Sequence, residues 1–315
     1  TRPARACTDL EDFLADPGLE VVHVCSPNLE HFDVAKACLL AGKPVLCEKP
    51  LTVDPAQSAE LAALAADRGI PTAVNFVYRH YPTLGRLKSM IETGDLGKIY
   101  AVRGGFLQGQ LISENVWDWR VESRLGGPSR AMADIGSHWC DLARWLIGDE
   151  FSEICADFAT FVPERLKPAG APPTKEGPER VRVDTEDYAS AIFRFRSGIR
   201  GSFTVSQTTA GARSSFSIAV DGSLGSARWE RESADILRIG RPDGSMSEER
   251  WGSMDSPAWE DFRDAAQRAL ISSFYERIRG LGRGVHADFS DGHANAKIVE
   301  AALASAKTRA WIRIG

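Results

Sequence analysis

The chain has 315 residues, of which 43% are hydrophobic, 26% charged and 9% aromatic; this length suits about two domains and the composition excludes disordered, collagen-like and coiled-coil classes. Its 38 basic and 43 acidic residues leave a net charge of -5 with no basic block, so the electrostatic footprint of a general nucleic-acid binder is missing. No run approaches the length of an apolar membrane span and no signal-like leader opens the sequence, which predicts a cytoplasmic protein.

Thr8, with Glu11 three residues on, has the form of a capping box for a short helix ending at 14. Residues 21–25 form a short apolar run that ends in Ser26-Pro27-Asn28, with Asn28 placed to cap a helix that Gly42 stops. A strand over 44–47, a helix opened by Asp54-Pro55 and closed by Gly69, and a strand over 71–77 follow. This alternation specifies a parallel sheet with crossover helices. From Tyr78 onward the strand signals lengthen and alternate. The pattern predicts a helix over 82–93, a strand over 99–107 and a helix over 128–146 that Gly148 terminates. Strands over 151–162, 183–195, 199–207, 214–220 and 227–230 read as a largely antiparallel second sheet. The Pro/Gly/Lys/Glu-rich stretch 163–179 reads as a surface loop, and the tail as helices over 260–279 and 293–307 with a strand over 311–314.

Cys7, Cys25, Cys38, Cys47, Cys140 and Cys155 are scattered without a C-x-x-C pair or a nearby histidine cluster, so they are expected to be reduced, buried and not metal-ligating. A parallel sheet presents ligand sites at the carboxyl ends of its strands. Three polar clusters fall there: Ser26-Pro27-Asn28, Cys47-Glu48-Lys49-Pro50 and Asn75-Phe76-Val77-Tyr78-Arg79. Singly these are a cap, a turn and a solvated charge; together they favour a site. On the helix over 128–146, Asp134, His138, Asp141 and Trp145 share one stripe, beside an apolar stripe of Ile135, Trp139, Leu142 and Leu146. A carboxylate one turn before a histidine can orient the imidazole of a general base, and the same spacing also makes an ordinary exposed ion pair. No G-x-G-x-x-G phosphate loop opens the chain, and the glycines of 279–284, which follow a helix, read as a flexible turn.

Ser26-Pro27-Asn28-x-x-His31, Cys47-Glu48-Lys49-Pro50, Val77-Tyr78-Arg79-x-x-Pro82, Gly94-x-x-Gly97, Trp119-Arg120 and Asp134-x-Gly136-x-His138-x-x-Asp141, followed by Trp145-Leu146-x-Gly148, form an ordered set. Over nearly the whole chain this set resembles the glucose-fructose oxidoreductase, inositol dehydrogenase and MocA family. The resemblance implies an α/β protein: an incomplete Rossmann-type parallel sheet over 1–78, then, over 79–315, an α+β substrate-binding and oligomerisation domain with an open, mostly antiparallel sheet. It implies an NAD- or NADP-dependent dehydrogenase in which Lys49 holds the reacting hydroxyl, His138 accepts its proton and Asp134 orients substrate and histidine. Ser26, Pro27, Asn28, His31, Glu48 and Pro50 would line the cofactor, with Trp119 and Arg120 near its nicotinamide end. Tyr78, Arg79, Asp141 and Gln207 would serve the substrate.

The sequence is most similar to the sugar and inositol branch, through Trp117-Asp118-Trp119-Arg120, the Asp134 to His138 segment and Val205-Ser206-Gln207. The implied partner is a small sugar or polyol, bound by a homo-oligomer without nucleic acid or membrane. Loop 112–127 and Gln207 are expected to choose the substrate. The family's first strand, glycine loop and second strand do not occur in the sequence, so an N-terminally incomplete chain of a normal enzyme is expected. The alternatives are a relative that reduces an imine or a biliverdin-like compound, one that eliminates from a sugar through transient oxidation, or a non-catalytic binding or oligomerisation module.

Overall fold

The computed structural model describes residues 6–170, 178–251, 259–282 and 284–315. Helix and strand alternate first: α1 (Leu10–Leu14), β1 (Val22–Val24), α2 (His31–Leu40), β2 (Val45–Cys47), α3 (Pro55–Arg68) and β3 (Thr72–Val74). The strands pair in the order β1-β2-β3, all parallel. Helices α2 and α3 cover one face through Ala35, Cys38, Leu39, Leu61 and Ala65. That explains why β2 is apolar throughout and fully buried, as a strand between two covered faces must be.

Three local details differ from the sequence expectation. The cap of α1 is Asp9, which accepts the Asp12 amide at 2.9 Å, and not Thr8; a carboxylate also gains from the positive end of the helix. Asn28 opens a 3-10 turn (Asn28–Glu30) without capping it, and its amide instead donates to the Gly126 carbonyl at 3.2 Å. The strand expected over 71–77 stops at Val74, because the chain folds back at Phe76, whose amide donates to the Val74 carbonyl.

The chain continues as α4 (Pro82–Glu92), β4 (Ile99–Leu107), α5 (Ser123–Gly126), α6 (Ser137–Ile147), β5 (Phe151–Ala159), β6 (Glu164–Lys167), β7 (Glu179–Arg182), β8 (Tyr188–Phe195), β9 (Arg200–Ser206), β10 (Ser215–Gly222), β11 (Ser226–Glu230), β12 (Ile236–Gly240), β13 (Met246–Arg250), α7 (Trp259–Ile278), α8 (Phe289–Thr308) and β14 (Ile312–Arg313). Nine of these strands form one sheet in the order β13-β12-β11-β10-β4-β9-β8-β5-β14. Within it β4 and β9 run parallel and the other neighbours antiparallel. Alternation along β8 sends Ala189, Ala191, Phe193 and Phe195 inward, into one core with Leu84 and Leu87 of α4 and Trp139, Leu142 and Leu146 of α6. The Trp139 ring stacks on Phe203 at 4.9 Å and its Nε1 donates to the Ser217 carbonyl at 3.0 Å. Gly201 lies opposite Phe193, whose ring would come within 1.9 Å of any Cβ placed there.

The second part also corrects the sequence reading. Stretch 163–179 is not simply a loop: β6 and β7 pair as an antiparallel hairpin, while 171–177 lie outside the described residues. Composition suggested solvent, yet Arg165 and Lys167 are buried, held by backbone carbonyls and carboxylates. Strands β12 and β13 were not foreseen, because β13 is a mostly exposed, charged edge whose Glu248 and Glu249 pair with Arg238 and Arg86. The helix expected from 128 begins at Ala131 and contains a π turn (Met132–Gly136) before α6, so its residues do not keep a constant angular spacing. All six cysteines are free thiols, but Cys25 is exposed and Cys7 and Cys155 are only partly buried.

The last two helices return to the first sheet. Leu270 and Phe274 of α7 pack on Leu46 and Ala73, the face that α2 and α3 leave open. The Val74 amide donates to the Ala287 carbonyl at 2.8 Å, and Phe289 at the start of α8 joins the first core while Ile298, Ala301 and Ala302 join the second. Part of 79–315 therefore belongs structurally to the parallel sheet. The turn at 279–284 begins as a helix stop: Gly280 has φ 73° and the Leu281 amide donates to the Glu276 carbonyl.

Candidate active site

The carboxyl ends of β1, β2 and β3 deliver Ser26 to Asn28, Glu48 to Pro50, and Asn75 to one edge of the parallel sheet. His31, buried at the start of α2, bridges the first two: its Nδ1 lies 2.8 Å from the Pro50 carbonyl and its Nε2 2.9 Å from the Ser26 carbonyl. The Lys49–Pro50 peptide is cis. Asn75 donates to Glu48 at 2.6 Å and accepts from Gln267 of α7 at 3.0 Å, which ties the edge to the late helix. The Ser26 hydroxyl is buried without a hydrogen-bond partner at this same edge. A buried hydroxyl without a partner is costly, and at the carboxyl ends of a parallel sheet, where dinucleotides bind, it leaves a hydrogen-bond position for such a ligand to fill.

Lys49 reaches across to Asp134 in the π turn. Its Nζ lies 2.6 Å from Oδ1 and 2.8 Å from the backbone carbonyl of Asp134. The second carboxylate oxygen accepts from Nε2 of Gln207, just beyond β9, at 2.9 Å, and Arg120 approaches Oδ1 at 3.7 Å. Burial alone would raise the Asp134 pKa, but the charges of Lys49 and Arg120 hold it below its ordinary value. His138 sits one turn further on, edge-on to Tyr78 (5.3 Å between centroids) and Phe76 (5.9 Å). Its Nδ1 is buried without a hydrogen-bond partner. Burial and then the Lys49 charge push its pKa well below 6.5, more than Asp134 restores, so the ring is neutral near pH 7.

Asp134 and His138 are thus neither an exposed ion pair nor a hydrogen-bonded dyad, since both carboxylate oxygens are taken by Lys49 and Gln207. The rings of Tyr78 and Phe76 orient the imidazole instead. Tyr78 itself is buried, stacked on Phe216 and Tyr81. Arg79 and Asp141 face each other: Nε and Nη2 donate to the two carboxylate oxygens at 2.9 and 2.5 Å, and Asp291 takes Nη1 at 3.0 Å. The stripe 134, 138, 141, 145 therefore divides between this site, a buried ion pair and, at Trp145, a surface contact with Lys88. The Arg120 guanidinium lies 4.2 Å over the Trp119 ring and bonds Asp118. Pro27 stands before Asn28, whose bond to Gly126 fastens the β1 loop to α5. Among the described residues no group of three or more His, Cys, Asp or Glu side chains comes together to hold a metal, and no helix is long and apolar enough to cross a membrane.

Sequence reasoning missed His80, which lies beside this edge, because nothing in its spacing marks it. Burial, with the charges of His286 and Arg79, lowers its pKa to about 4. In the unfolded chain a histidine binds its proton near pH 6.5, so between about 6.5 and 4 the unfolded state holds more protons and acid destabilises the fold. His80 should contribute about 3 kcal/mol above that window, lost progressively as the pH falls through it. Urea unfolding of wild type and His80→Leu at about pH 7 and about pH 5 should show a shallower acid loss in the variant; equal losses would refute the assignment.

A parallel sheet whose strand end carries a lysine, met there by a carboxylate and a neutral histidine from a second sheet domain, defines a class of dinucleotide-dependent oxidoreductase. Residues 2–76 match the profile described as "Oxidoreductase family, NAD-binding Rossmann fold", and residues 84–228 match the GFO/IDH/MocA C-terminal domain. The chain belongs to the Gfo/Idh/MocA family of oxidoreductases, and its first part is of the NAD-binding Rossmann type. It is 28% identical to levoglucosan dehydrogenase of Pseudarthrobacter phenanthrenivorans over 98% of this chain and 83% of that protein. It is 27% identical to bovine (Bos taurus) trans-1,2-dihydrobenzene-1,2-diol dehydrogenase over 71% of this chain and 58% of that one. The structure of levoglucosan dehydrogenase in complex with NADH and levoglucosan superposes with a TM-score of 0.85 at 27% identity, covering 98% of this chain and 84% of the other.

Proposed function

We propose that this protein oxidises a secondary hydroxyl of a cyclic sugar or inositol-type polyol with NAD or NADP. The observation that carries the proposal is the meeting of the Lys49 ammonium, held at 2.6 Å by Asp134, with the neutral imidazole of His138 at the cofactor edge. A nicotinamide cofactor bound at this edge would supply the hydride acceptor for the carbinol carbon. The chain's own residues handle the proton and the oxygen. An ammonium has three donors; Asp134 engages two of Lys49's, leaving the third for the substrate oxygen, whose developing negative charge it stabilises. His138 accepts the hydroxyl proton, which a neutral ring can do at neutral pH. Asp134, fixed in turn by Gln207, aims Lys49. Ser26, Pro27, Asn28, His31, Glu48 and Pro50 shape the cofactor edge, and Trp119 with Arg120 flanks its nicotinamide end.

Two of the relatives carry the names of hydroxylated ring compounds, levoglucosan and a dihydrobenzenediol, which supports a ring polyol as substrate. We place the enzyme in the cytoplasm as a homo-oligomer; Ile192 and Trp311, both exposed, offer apolar area on the outer face of the nine-stranded sheet. A binding module has no evident use for a matched Lys49, Asp134 and His138. The test is reduction of NAD and NADP by the full-length natural protein with levoglucosan, hexoses, inositols and trans-dihydrobenzenediol, followed by absorbance of the reduced cofactor. Turnover with at least one is expected, and Lys49→Met should lower kcat by roughly 10²- to 10³-fold. No turnover with any would sink the proposal and favour the non-catalytic alternative.

A further inference from the structure

Loop 111–121 borders the site at both ends. The Leu111 amide donates to the Gln207 carbonyl at 3.1 Å, and Arg120 comes within 3.7 Å of Asp134. Its interior is held from behind by β6, where the Leu166 amide donates to the Glu114 carbonyl at 2.9 Å, Lys167 lies 4.8 Å over the Trp117 ring, and one side chain takes three loop carbonyls. Arg165 of β6, fully buried, donates through Nη1 to the carbonyls of Ser113 (2.7 Å) and Val116 (2.9 Å) and through Nη2 to that of Leu111 (2.5 Å). The far end is held by a second buried arginine: Arg130 donates from Nε to the Thr185 hydroxyl at 3.1 Å, and that hydroxyl lies 3.3 and 3.2 Å from the carbonyls of Arg120 and Val121. The two guanidiniums converge on a single acceptor, Oδ1 of Asp187. Arg130 also starts the element that carries the site, since its carbonyl accepts the Asp134 amide at 2.7 Å. The Asp187 carbonyl in turn accepts the Gln207 amide at 2.9 Å. A closed ring of hydrogen bonds therefore connects the loop, the π turn and the Gln207 segment.

We propose that Arg165 is a positioning residue that, with Arg130 and Asp187, fixes loop 111–121 over the site and so sets affinity for the polyol, while leaving the chemical step to Lys49 and His138. The assignment of affinity rests on the dehydrogenase function proposed above. Three backbone carbonyls on one guanidinium leave the loop a single shape, as substrate-choosing loops on a rigid scaffold require. Arg165 touches no group that reacts. Its removal spares Lys49, Asp134 and His138 and leaves Arg130 and Asp187 as a one-to-one pair, so the variant is not left with an uncompensated buried carboxylate.

The experiment compares wild type, Arg165→Met and Arg165→Lys in the full-length protein by two readouts. Amide hydrogen exchange is read separately in 111–118 and in α6, whether or not the protein turns over. Steady-state kinetics then use whichever polyol of the panel the wild type oxidises. Arg165→Met should speed exchange in 111–118 about tenfold or more with α6 unchanged, and raise KM about tenfold with kcat within about threefold. Arg165→Lys, which can reach only part of the carbonyl set, should fall between. Unchanged exchange in 111–118, or a fall in kcat at constant KM, would overturn the proposal. Accelerated loop exchange in Arg165→Met, alongside a wild type that oxidises nothing, would instead point to failure of the dehydrogenase function and not of the loop clamp.

Discussion

His138→Asn is expected to lower kcat for alcohol oxidation by roughly 10²- to 10⁴-fold, with circular dichroism and cofactor affinity close to wild type. The imidazole makes no hydrogen bond to the protein through its buried Nδ1, so its replacement breaks no polar network, and what is lost is the group that takes the proton. The pH dependence follows from sign. Burial and the Lys49 charge push the His138 pKa well below 6.5, so the base is unprotonated across the neutral range, and kcat/KM for oxidation should be flat there and fall only in acid. Lys49→Met removes the second of these influences. In that variant the imidazole proton should bind at higher pH, visible by NMR titration of the ring even where turnover is too slow to follow. Retention of kcat within about threefold in His138→Asn would assign the proton to another group, and an unshifted titration in Lys49→Met would remove Lys49 as the cause.

Much of the fold was legible in local patterns. Strand β4 occupies the predicted 99–107, and Asp54 and Gly69 mark α3 at both ends. These elements were readable because apolar alternation and caps are local properties. The hairpin β6–β7 was not, since Arg165 and Lys167 look like solvent-facing charges until the carbonyls of Leu111, Ser113 and Val116 and the carboxylate of Glu122 are brought to them. The π turn was equally invisible: it has no sequence signature comparable to a cap, and it is stabilised from a distant strand edge, by Glu186, which accepts from Ser129, Arg130 and Met132. For the site, the convergence of Lys49 and Asp134 came through order and resemblance. The spacing on a helix shows which residues share a stripe but not what faces them, and for that reason Asp141 was grouped with His138 although its partner is Arg79.

That misplacement yields the stability prediction of largest size. Arg79→Met is expected to cost about 3–5 kcal/mol in urea unfolding, the usual loss when one partner of a buried ion pair is removed. Asp141 is almost completely buried, and burial already lifts its pKa despite the adjacent guanidinium. Without Arg79 it keeps the burial and loses the compensation, and Asp291, which leans on the same guanidinium at 3.0 Å, loses a partner as well. The loss should be larger at neutral pH than in mild acid, where a carboxyl of raised pKa takes up a proton and no longer needs a cation. Replacing both members, Arg79→Met with Asp141→Leu, should recover part of the loss, because a pair of apolar side chains leaves no unpaired charge. In the folded fraction of Arg79→Met the KM for polyol should remain within about twofold of wild type, since both side chains are buried and spend their hydrogen bonds on each other. A tenfold rise in KM with unchanged urea midpoint would return Arg79 and Asp141 to the ligand and show that the ion pair opens when substrate binds.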